Sequence, residues 1–324
     1  MLNLVKAGII GLDEVGKSFA TLINEHVKFL ELMAASGRSQ NELLFAKNDM
    51  SLPYVYSDTA QLIENHDVDA LFVFCAPEQK VDLTTKAIEA GKHVFISQPI
   101  ATNVEDAAYL IKIAERHPSQ VSMAGYPHRL NASFIQLKQL LDKGVIGDVL
   151  SIDLDSNLTQ NLSSQFITAS GSPFIDYGLN EIDIVLWLLG KKPIQVDCHT
   201  SGDVIIASLK MENNIDCDFR LFQNSEPRHS ILKITGTNGC LEYDNHTLVI
   251  KKTNYHGDMI SSVYAKDQLN CYHLDYLHAK HFVDVIFGYK KSSLKLSHNL
   301  HALKVAIAME KSKTLKDRVQ IEWS

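Results

Sequence analysis

The first 125 residues alternate short apolar runs with segments of helical periodicity, and no other feature of the sequence limits the possible folds as much. The apolar runs predict strands at 5–10, 31–35, 54–56, 70–75 and 93–96. The segments between and after them predict helices at 15–24, 58–64, 79–90 and 104–114. Strand–helix–strand units of this length connect parallel strands, and a run such as 71–74, apolar throughout, is typical of a strand buried on both faces. The pattern therefore predicts a doubly wound α/β sheet.

Three residues mark the ends of these helices. Asp58 and Asn103 each precede a helical segment, and their side-chain oxygens are suited to accept hydrogen bonds from the first free amides. Gly91 follows the helix at 79–90 and fits a left-handed helix end.

The turn after the first strand is the expected ligand site, because doubly wound sheets bind ligands beyond the carboxyl ends of their strands. Residues 11–16 read Gly-Leu-Asp-Glu-Val-Gly, against the dinucleotide fingerprint G-x-G-x-x-G. Gly11 and Gly16 match its first and third glycines, whereas Asp13 replaces the second, which lets the backbone approach the pyrophosphate. We expect Gly11, Leu12, Asp13 and Gly16 to line a dinucleotide site. The Asp13 carboxylate would oppose phosphate charge at the helix N-terminus.

The residues after the second strand bear on which dinucleotide binds. That strand normally ends with an acidic residue that holds the adenosine ribose hydroxyls, but residues 35–39 read Ala-Ser-Gly-Arg-Ser. Arg38 and Ser39 are suited to a 2′-phosphate, which favours NADP over NAD. The alternative interpretation is an ordinary polar loop.

A motif after the helix at 79–90 resembles a known family of enzymes. Residues 91–99 read Gly-Lys-His-Val-Phe-Ile-Ser-Gln-Pro, which resembles the Gfo/Idh/MocA oxidoreductases, the glucose–fructose oxidoreductase and inositol dehydrogenase family. Its members carry Gly-Lys-His-Val followed by Glu-Lys-Pro at this place. The resemblance continues at Gly147, at 176–183 (Asp-x-Gly-x-His-x-x-Asp in the family) and at the Gly-Thr-x-Gly hairpin of 236–239. It therefore extends over essentially the whole chain.

The resemblance implies a fold, a domain division and a cofactor. It implies a Rossmann domain over residues 1–125 and, over 126–324, a C-terminal α+β domain with a large, open, mostly antiparallel sheet. NAD or NADP is the implied cofactor, with Pro77 and Pro99 beside it, and a homodimer or homotetramer is the implied assembly. The implied substrate is a small molecule, namely a sugar, an inositol-like polyol or a related compound, oxidised at a CH–OH group.

Two of the three catalytic positions that the resemblance implies carry a residue different from that of the family. Gln98 stands where the family has the lysine of Glu-Lys-Pro, and Asn180 stands where it has the histidine that accepts the hydroxyl proton. Asp176 keeps the residue of the family. An amide does not act as a base near neutral pH. The implied catalytic positions are therefore Gln98, Asp176 and Asn180, without the usual proton acceptor.

Removal of a hydride from an alcohol carbon requires that the hydroxyl proton leave, and a group positioned to take it typically contributes ~10²–10⁴-fold in rate. The candidates are Asp176, if a dry pocket raises its pKa, Tyr177, and His128 on the link out of the first domain. Alternatively, Asp176 and Asp183 cap or brace the helix that follows, and His128 lies in a surface loop.

The pattern changes near residue 127, where turns begin to separate consecutive strands. Strands are predicted at 149–154, 195–199, 204–211, 215–222, 230–234, 240–243 and 248–251. Helices are predicted at 133–141, before Gly190, at 272–287 and at 298–311, the last with Ser297 as its N-cap. Short turns between consecutive strands predict an open antiparallel sheet. The polar segment 157–172 predicts a loop, either flexible or in contact with a hydroxylated ligand.

Charge, cysteine and histidine content exclude several classes of protein. The chain has 31 Lys and Arg against 38 Asp and Glu, a formal net charge of −7, which favours neither nucleic acid nor an anionic lipid surface as partner. Its apolar runs are shorter than the ~20 residues of a membrane helix, and without a signal-peptide pattern we expect a cytoplasmic protein. The 5 cysteines include no C-x-x-C pair, which predicts buried thiols rather than zinc ligands. The spacing of His273, His278 and His281 does not predict a metal site either.

Two functions of different classes remain open. The first is an NAD(P)-dependent oxidoreductase, including a variant that keeps the cofactor and draws its proton from solvent. The second is a non-redox binding or regulatory protein that retains the fold. The whole-chain resemblance favours the first function, which we expect. Asp13, Gln98 and Asn180 favour the second, because together they alter the cofactor turn and the proton-transfer pair.

Overall fold

The computed structural model describes residues 4–157, 170, 172–222, 231–244, 247–253, 259–266 and 271–323. The chain divides into two compact units. The first comprises Met1–Pro127 with Asn270–Leu300, and the second comprises His128–Leu269 with His301–Ser324. Most of the polar segment predicted as a loop at 157–172 lies outside the described residues.

The strands and helices of the described residues are numbered here in chain order. The strands are β1 Val5–Ile10, β2 Leu30–Ser36, β3 Tyr54–Tyr56, β4 Ala70–Val73, β5 His93–Ile96, β6 Ser122–Ala124, β7 Val149–Asn157, β8 Pro193–Ser201, β9 Val204–Met211, β10 Asp216–Phe222, β11 Ile231–Gly236, β12 Gly239–Asp244, β13 Thr247–Thr253, β14 Met259–Lys266 and β15 Val319–Gln320. The α-helices are α1 Glu14–His26, α2 Gln40–Leu44, α3 Thr59–Glu64, α4 Pro77–Glu89, α5 Val104–Arg116, α6 Ala132–Asp142, α7 Pro173–Asp176, α8 Leu179–Leu189, α9 Cys271–Ile286 and α10 Leu296–Leu315.

The first unit contains a six-stranded sheet in the order β3-β2-β1-β4-β5-β6. All of its neighbouring strands are parallel. This is the strand order of a Rossmann fold and confirms the predicted doubly wound sheet. Residues 70–73 of β4 are fully buried, as expected for a strand covered on both faces.

The helix ends of this unit follow the sequence signals. Asp58 accepts a hydrogen bond from the amide of Ala60, and Asn103 accepts one from Asp106, so both N-cap predictions are confirmed. Gly91 has the predicted left-handed conformation, with φ of +81°. The sequence did not predict the short elements α2, β6 and the π-helical turn Phe45–Asp49, because they span only three to five residues.

An aromatic cluster explains why residues from the end of the chain belong to the first unit. The ring of Phe282 on α9 lies 5.4 Å from Phe72 on β4 and 6.0 Å from Phe95 on β5, measured between ring centres. The ring of Phe19 on α1 lies 5.1 Å from Phe72 in a tilted arrangement and stacks on Phe95 at 6.0 Å. The sequence analysis predicted one domain over residues 1–125 and a second over 126–324. The chain first passes to the second unit after Pro127, and residues 270–300 lie in the first unit because α9 buries its apolar side chains there.

The second unit contains a nine-stranded sheet in the order β14-β13-β12-β11-β7-β10-β9-β8-β15. β7 and β10 pair in parallel, and the other neighbouring strands pair antiparallel. This confirms the predicted mostly antiparallel sheet. The strands alternate in burial: on β10, Cys217, Phe219 and Leu221 are buried, whereas the residues between them are exposed. One face of the sheet is therefore apolar and the other is polar.

Two details of the second half differ from the sequence prediction. β14 and β15 were not predicted, because β15 has only two residues and the run at 259–266 carries serines and a lysine among its apolar positions. Ser297 is not an N-cap, since α10 already begins at Leu296 and the amide of His298 bonds to the carbonyl of Lys295.

The described cysteines agree with the prediction of buried thiols. Cys198, Cys217 and Cys240 are buried, Cys75 is half-buried, and all four are free thiols. In the part of the chain that the structure describes, no helix combines the length and the apolar character needed to cross a bilayer.

Candidate functional site

The turn between β1 and α1 has room for glycine alone at two positions. Gly11 has φ of +90°, and a Cβ there would lie 2.9 Å from the carbonyl carbon and oxygen of Phe74. A Cβ at Gly16 would lie 2.3 Å from the carbonyl oxygen of Gly11. Leu12 between them is 1% exposed. The backbone therefore follows the tight strand–turn–helix path of a dinucleotide-binding turn.

Asp13 caps the helix that this turn introduces. Its Oδ1 accepts a hydrogen bond of 2.8 Å from the amide of Gly16, at the third position of α1. The carboxylate therefore occupies one helix amide and adds a negative charge where an anion would bind. In the described contacts, no acceptor is bonded to the amides of Glu14 and Val15. The two glycines and the two helix amides of this turn therefore suit a pyrophosphate, whereas the negative charge of Asp13 opposes its binding.

An acidic side chain lies at the end of β2 after all, and the sequence analysis of residues 35–39 missed it. Glu42 Oε2 accepts a hydrogen bond of 2.7 Å from the amide of Arg38, and Ser39 Oγ accepts one of 3.2 Å from the amide of Glu42. The spacing Ser-x-x-Glu at 39–42 is a capping-box signal that would have found it. Ser39 is therefore engaged as the N-cap of α2, and Arg38 is exposed beside the carboxylate of Glu42.

A buried lysine holds the loop after β5. Lys80 on α4 is 2% exposed. Its ammonium donates to the carbonyl oxygens of Ser97 and Pro99, at 3.0 and 2.9 Å, and to Ser97 Oγ at 3.1 Å. Burial lowers the pKa of Lys80 to about 8, although the nearby acidic groups of Cys75, Asp13 and Glu78 act in the opposite direction. Lys80 thus fixes the backbone on both sides of Gln98.

Gln98 presents a hydrogen-bond donor that the described residues do not satisfy. Its Nε2 is buried and has no acceptor among them. A buried unpaired donor costs about 1–3 kcal/mol, which a bound oxygen atom would recover. Pro99 follows through a cis peptide bond. Pro77 is the first residue of α4, where its missing amide costs no helix hydrogen bond.

The predicted dinucleotide residues of the first unit share one edge of the sheet. They follow the carboxyl ends of β1, β2, β4 and β5, which are consecutive neighbours in the sheet in the order β2-β1-β4-β5. Half-buried Cys75 reports this proximity. Burial raises the pKa of its thiol, the charges of Lys80 and Arg38 lower it, and the charge of Asp13 raises it. Charged groups from α4 and from the turns after β1 and β2 therefore act on the thiol that follows β4.

The second unit brings Asp176 and Asn180 to neighbouring helix ends. Asp176 is the last residue of α7, and its Oδ2 accepts a long hydrogen bond of 3.4 Å from the amide of Ser170. Asn180 lies in the first turn of α8, where its Oδ1 is buried without a donor among the described residues. Burial raises the pKa of Tyr177, and the charge of Asp176 adds to this. The two predicted positions are thus polar groups on either side of the junction between α7 and α8.

The side chains of Asp183 and His128 both contact other side chains of the second unit. Asp183 accepts two hydrogen bonds from Arg129, from Nε at 2.7 Å and from Nη2 at 2.8 Å, and the pair is buried. This agrees with the alternative that Asp183 braces the helix. His128 lies in the 3-10 turn Pro127–Leu130 with its ring 4.8 Å from that of Phe134. It is half-buried.

Glu181 is a titratable residue that the sequence analysis did not select. Its Oε1 accepts a hydrogen bond of 3.0 Å from Ser156 Oγ, and its Oε2 is buried with no partner among the described residues. Burial raises the pKa of Glu181 to about 7. A second acidic residue next to Asn180, besides Asp183, in the mostly apolar sequence of α8 was the available signal.

The histidines of α9 do not form a metal site with their neighbours in the described residues. No group of three His, Cys, Asp or Glu side chains there is arranged to hold a metal ion. His278 packs on the ring of Phe95 at 5.4 Å, and His281 Nε2 accepts a hydrogen bond of 3.2 Å from the amide of Ser293. The side chain of His273 lies outside the described residues.

Two family models match the chain. The model of the oxidoreductase family with an NAD-binding Rossmann fold, GFO_IDH_MocA, covers residues 5–125. The model of the GFO/IDH/MocA C-terminal domain covers residues 134–242. Together they span both units and more than half of the chain.

Known relatives are similar in sequence and in fold. The chain is 25% identical over 228 residues to inositol 2-dehydrogenase 2 of Saccharopolyspora erythraea, over 67% of this chain and 66% of that protein. It is 25% identical over 205 residues to myo-inositol 2-dehydrogenase of Thermotoga maritima, over 62% of this chain and 59% of that protein. These alignments span less than two thirds of the length of the relatives.

A solved structure matches the fold of the whole chain. It is that of scyllo-inositol dehydrogenase from Lactobacillus casei with bound NAD(H) and scyllo-inositol, with a TM-score of 0.81 at 23% identity. The match covers 98% of this chain and 99% of that one.

Proposed function

Because the chain belongs to the GFO/IDH/MocA oxidoreductase family, we propose that it is an NAD(P)-dependent dehydrogenase that oxidises a CH–OH group of an inositol-like polyol or a sugar. The observation that carries this proposal is the match of both family models to a chain whose relatives are inositol dehydrogenases. The same relatives favour this activity over a non-redox binding or regulatory role.

The dinucleotide is proposed to bind at the carboxyl edge of the six-stranded sheet. The residues proposed to contact it are Gly11, Leu12, Asp13, Gly16, Arg38, Ser39, Pro77 and Pro99. When bound, the nicotinamide of NAD or NADP accepts the hydride that leaves the substrate carbon. The turn at Gly11 supports the pyrophosphate, and the Glu42 carboxylate beside Arg38 is suited to the ribose hydroxyls of NAD. Glu42 thus shifts the preference from NADP, predicted from Arg38 and Ser39, towards NAD.

Within each unit, polar side chains at the predicted catalytic positions are proposed to bind hydroxyl groups of a polyol. Gln98 Nε2 is a buried donor and Asn180 Oδ1 is a buried acceptor, each unsatisfied among the described residues. An unpaired buried polar atom is costly, and a polyol offers both donors and acceptors to such atoms. Asp176 adds an acceptor at the end of α7. This supports an uncharged, hydroxyl-rich substrate.

The decisive experiment separates cofactor binding from turnover. The purified protein is titrated with NADH and with NADPH, followed by nicotinamide fluorescence and calorimetry, and is then assayed for reduction of NAD and NADP with a panel of inositols and sugars. We expect binding of a dinucleotide at micromolar to millimolar concentration and turnover with at least one polyol. No binding of either dinucleotide at millimolar concentration would contradict the proposal and support the non-redox alternative.

We also propose that the protein acts in the cytoplasm as a homodimer or homotetramer. Its free cysteines suit a reducing compartment. The polar face of the nine-stranded sheet, which carries the exposed residues of β10, is proposed as the subunit interface. Sedimentation velocity at several protein concentrations tests the assembly, and a monomer at all of them would contradict it.

A further inference from the structure

Lys80 places a positive charge in the interior of the first unit, at the sheet edge where the dinucleotide is proposed to bind. It is the fourth residue of α4 and is buried. Burial and the helix dipole both disfavour an ammonium group near the start of a helix. This charge therefore needs local compensation that an exposed lysine does not need.

The hydrogen bonds of this ammonium group all go to uncharged acceptors. They are the carbonyl oxygens of Ser97 and Pro99, at 3.0 and 2.9 Å, and the hydroxyl oxygen of Ser97, at 3.1 Å. Three acceptors use the three N–H donors of an ammonium group. In the part of the chain that the structure describes, no carboxylate is bonded to it. Lys80 thus has its hydrogen bonds but no ion-pair partner.

A second buried cation shows the contrast. The guanidinium group of Arg129 in the second unit is paired with the carboxylate of Asp183 at 2.7 Å. Its charge is neutralised within the protein, as is usual for a buried charge. The charge of Lys80 is offset only by dipoles, so it remains available to an anion that binds nearby.

The glycine turn after β1 lies next to the segments that hold this lysine. A Cβ at Gly11 would lie 3.0 Å from the amide nitrogen of Cys75, so the turn packs directly against the end of β4. α4 begins two residues after Cys75. The amide of Ser97 bonds to the carbonyl oxygen of Val73 at 3.0 Å. The glycine turn, the start of α4 and the loop after β5 are therefore neighbours along one edge of the sheet, all within the first unit.

The titratable groups that act on Lys80 come from the same edge. Burial lowers its pKa to about 8, while the acidic groups of Cys75, Asp13 and Glu78 oppose that shift. An added negative charge at this edge would raise the pKa again, and the lysine would then bind its proton more tightly.

The elements packed against α4 contribute no other charge to Lys80. These elements are α3, α5, β4 and β5. β4 has no titratable residue, and His93 at the amino end of β5 accepts a hydrogen bond from the amide of Val121. On α4 itself, Asp82 and Lys86 form an exposed pair at 2.7 Å. The charged side chains of α3 and α5 are exposed to solvent, namely Glu64, Glu105, Asp106, Lys112, Glu115 and Arg116.

We propose that protonated Lys80 is the counter-charge of the dinucleotide pyrophosphate, so that the first unit binds the dinucleotide and a proton together. The inference rests on the dinucleotide site proposed above and adds to it a residue that strengthens binding without touching the ligand. Lys80 is a positioning residue, because its hydrogen bonds hold the loop at 97–99 while its charge acts across the glycine turn. It offsets the negative charge of Asp13, which otherwise opposes an anion in that turn.

The test measures proton uptake during binding. The protein is titrated calorimetrically from pH 7 to 9.5 with NADH and with ADP-ribose, which keeps the pyrophosphate and lacks the nicotinamide. At pH 8.5 the titration is repeated in two buffers of different ionisation enthalpy. If the bound pyrophosphate raises the pKa of Lys80 by ~1, the protein should take up ~0.5 proton at pH 8.5.

The affinity should follow the same proton. The contribution of protonated Lys80 is fully present below about pH 8 and is lost as the pH rises through the pKa of the complex. Both ligands should therefore bind ~5–10-fold more weakly at pH 9.5 than at pH 7. A purely structural role of Lys80 would not couple binding to a proton.

Two variants assign the proton to Lys80. Lys80→Met removes the charge and keeps an unbranched side chain, so it should abolish the uptake and weaken binding ~10-fold at pH 7. Lys80→Arg keeps a positive charge throughout this pH range. It should therefore hold its affinity up to pH 9.5 without taking up a proton.

Two matched controls exclude other groups. Lys92 is also buried, donates to two carbonyl oxygens at 2.7 Å and has a pKa lowered by burial, but it precedes β5 and lies at the opposite edge of the sheet. Lys92→Met should keep the wild-type uptake and affinity. Cys75→Ser should keep the uptake, because burial raises the pKa of that thiol and leaves it protonated at pH 8.5.

The outcomes separate this inference from the proposed function. If the wild type binds NADH without taking up a proton, or if Lys80→Met takes up as much as the wild type, Lys80 is not the counter-charge, whereas dinucleotide binding stands. Uptake with NADH but not with ADP-ribose would show that the assignment to the pyrophosphate is wrong. If neither ligand binds at millimolar concentration at any pH, the proposed function fails and this inference fails with it. If neither Lys80 variant folds, the wild-type uptake decides, and its loss in Lys92→Met or Cys75→Ser would overturn the assignment.

Discussion

Replacing Asp13 should change helix stability and dinucleotide affinity in opposite directions. The carboxylate caps α1 through the amide of Gly16 at 2.8 Å. Loss of a polar N-cap costs a few tenths of a kcal/mol when glycine replaces it, so Asp13→Gly should lower the free energy of unfolding by ~0.5 kcal/mol. Removing the negative charge of Asp13 should strengthen binding of the dinucleotide, because it no longer repels the pyrophosphate. At ~5 Å and an effective dielectric constant of ~20, one charge pair interacts by about 3 kcal/mol, and salt screening reduces this. We therefore expect ~10–100-fold tighter binding.

Asp13→Asn separates the charge from the cap. Asparagine caps helices as well as aspartate does, so Asp13→Asn should tighten dinucleotide binding while urea denaturation gives a wild-type free energy of unfolding. Glu25→Gln, at an exposed position near the other end of α1, serves as the control and should change neither quantity. Affinity is measured by calorimetry with NADH and NADPH at low and high salt, and the gain should shrink at high salt. If Asp13→Asn binds dinucleotide no more tightly than the wild type, the charge of Asp13 is not the obstacle and the reasoning is refuted.

Three further changes test other contacts. The unfolded chain keeps the ordinary lysine pKa of 10.5, whereas burial lowers the pKa of Lys80 to about 8 in the folded protein. Between these two pH values the unfolded state therefore binds more protons than the folded state, and the free energy of unfolding rises with pH. Relative to Lys80→Met, the wild type should gain ~2 kcal/mol in free energy of unfolding from pH 7.5 to 9.5. Lys92→Met, which changes another buried lysine bonded to two carbonyls, is the comparison in the same urea titration, and an equal free-energy difference at both pH values for Lys80→Met would reject the shift. Glu42→Gln should raise NADPH affinity relative to NADH, because it removes a carboxylate at the end of β2; calorimetric Kd values whose ratio stays constant would count against this role. Asp183→Asn should destabilise the protein by ~3–5 kcal/mol, because it leaves the buried guanidinium of Arg129 without its partner, and a loss below ~1 kcal/mol in urea denaturation would contradict that.

The sequence predicted much of the fold because the fold depends on patterns local in the chain. Apolar runs bounded by helices predicted the parallel sheet, and alternating runs with short turns predicted the antiparallel one. Cap residues such as Asp58 and Asn103 act within a few positions, so their roles were visible in the sequence. Ser297 shows the limit, because a helix that starts one residue before a good cap makes that cap irrelevant.

The candidate site was predicted only where it depends on a single turn. Gly11 and Gly16 are required by backbone geometry within six residues, and that requirement can be recognised in the sequence. The bond of Lys80 to the loop at 97–99 joins residues 17 and 19 positions apart. The bond of Glu181 to Ser156 joins residues 25 positions apart. Local patterns do not predict such pairs, because the packing of a helix against a strand or a loop brings together residues that are distant in the chain.

The sequence by itself determined the architecture, the position of the cofactor turn and the absence of the usual base at Asn180 and of the lysine at Gln98. Those properties follow from residue identity and short-range spacing. Only the tertiary structure decided that α9 completes the first unit, that Asp183 is committed to Arg129, and that burial raises the pKa of Glu181 to about 7. These depend on burial and on partners distant in the chain. A carboxylic acid has the same identity in water and in a protein interior, but the removal of solvent raises its pKa.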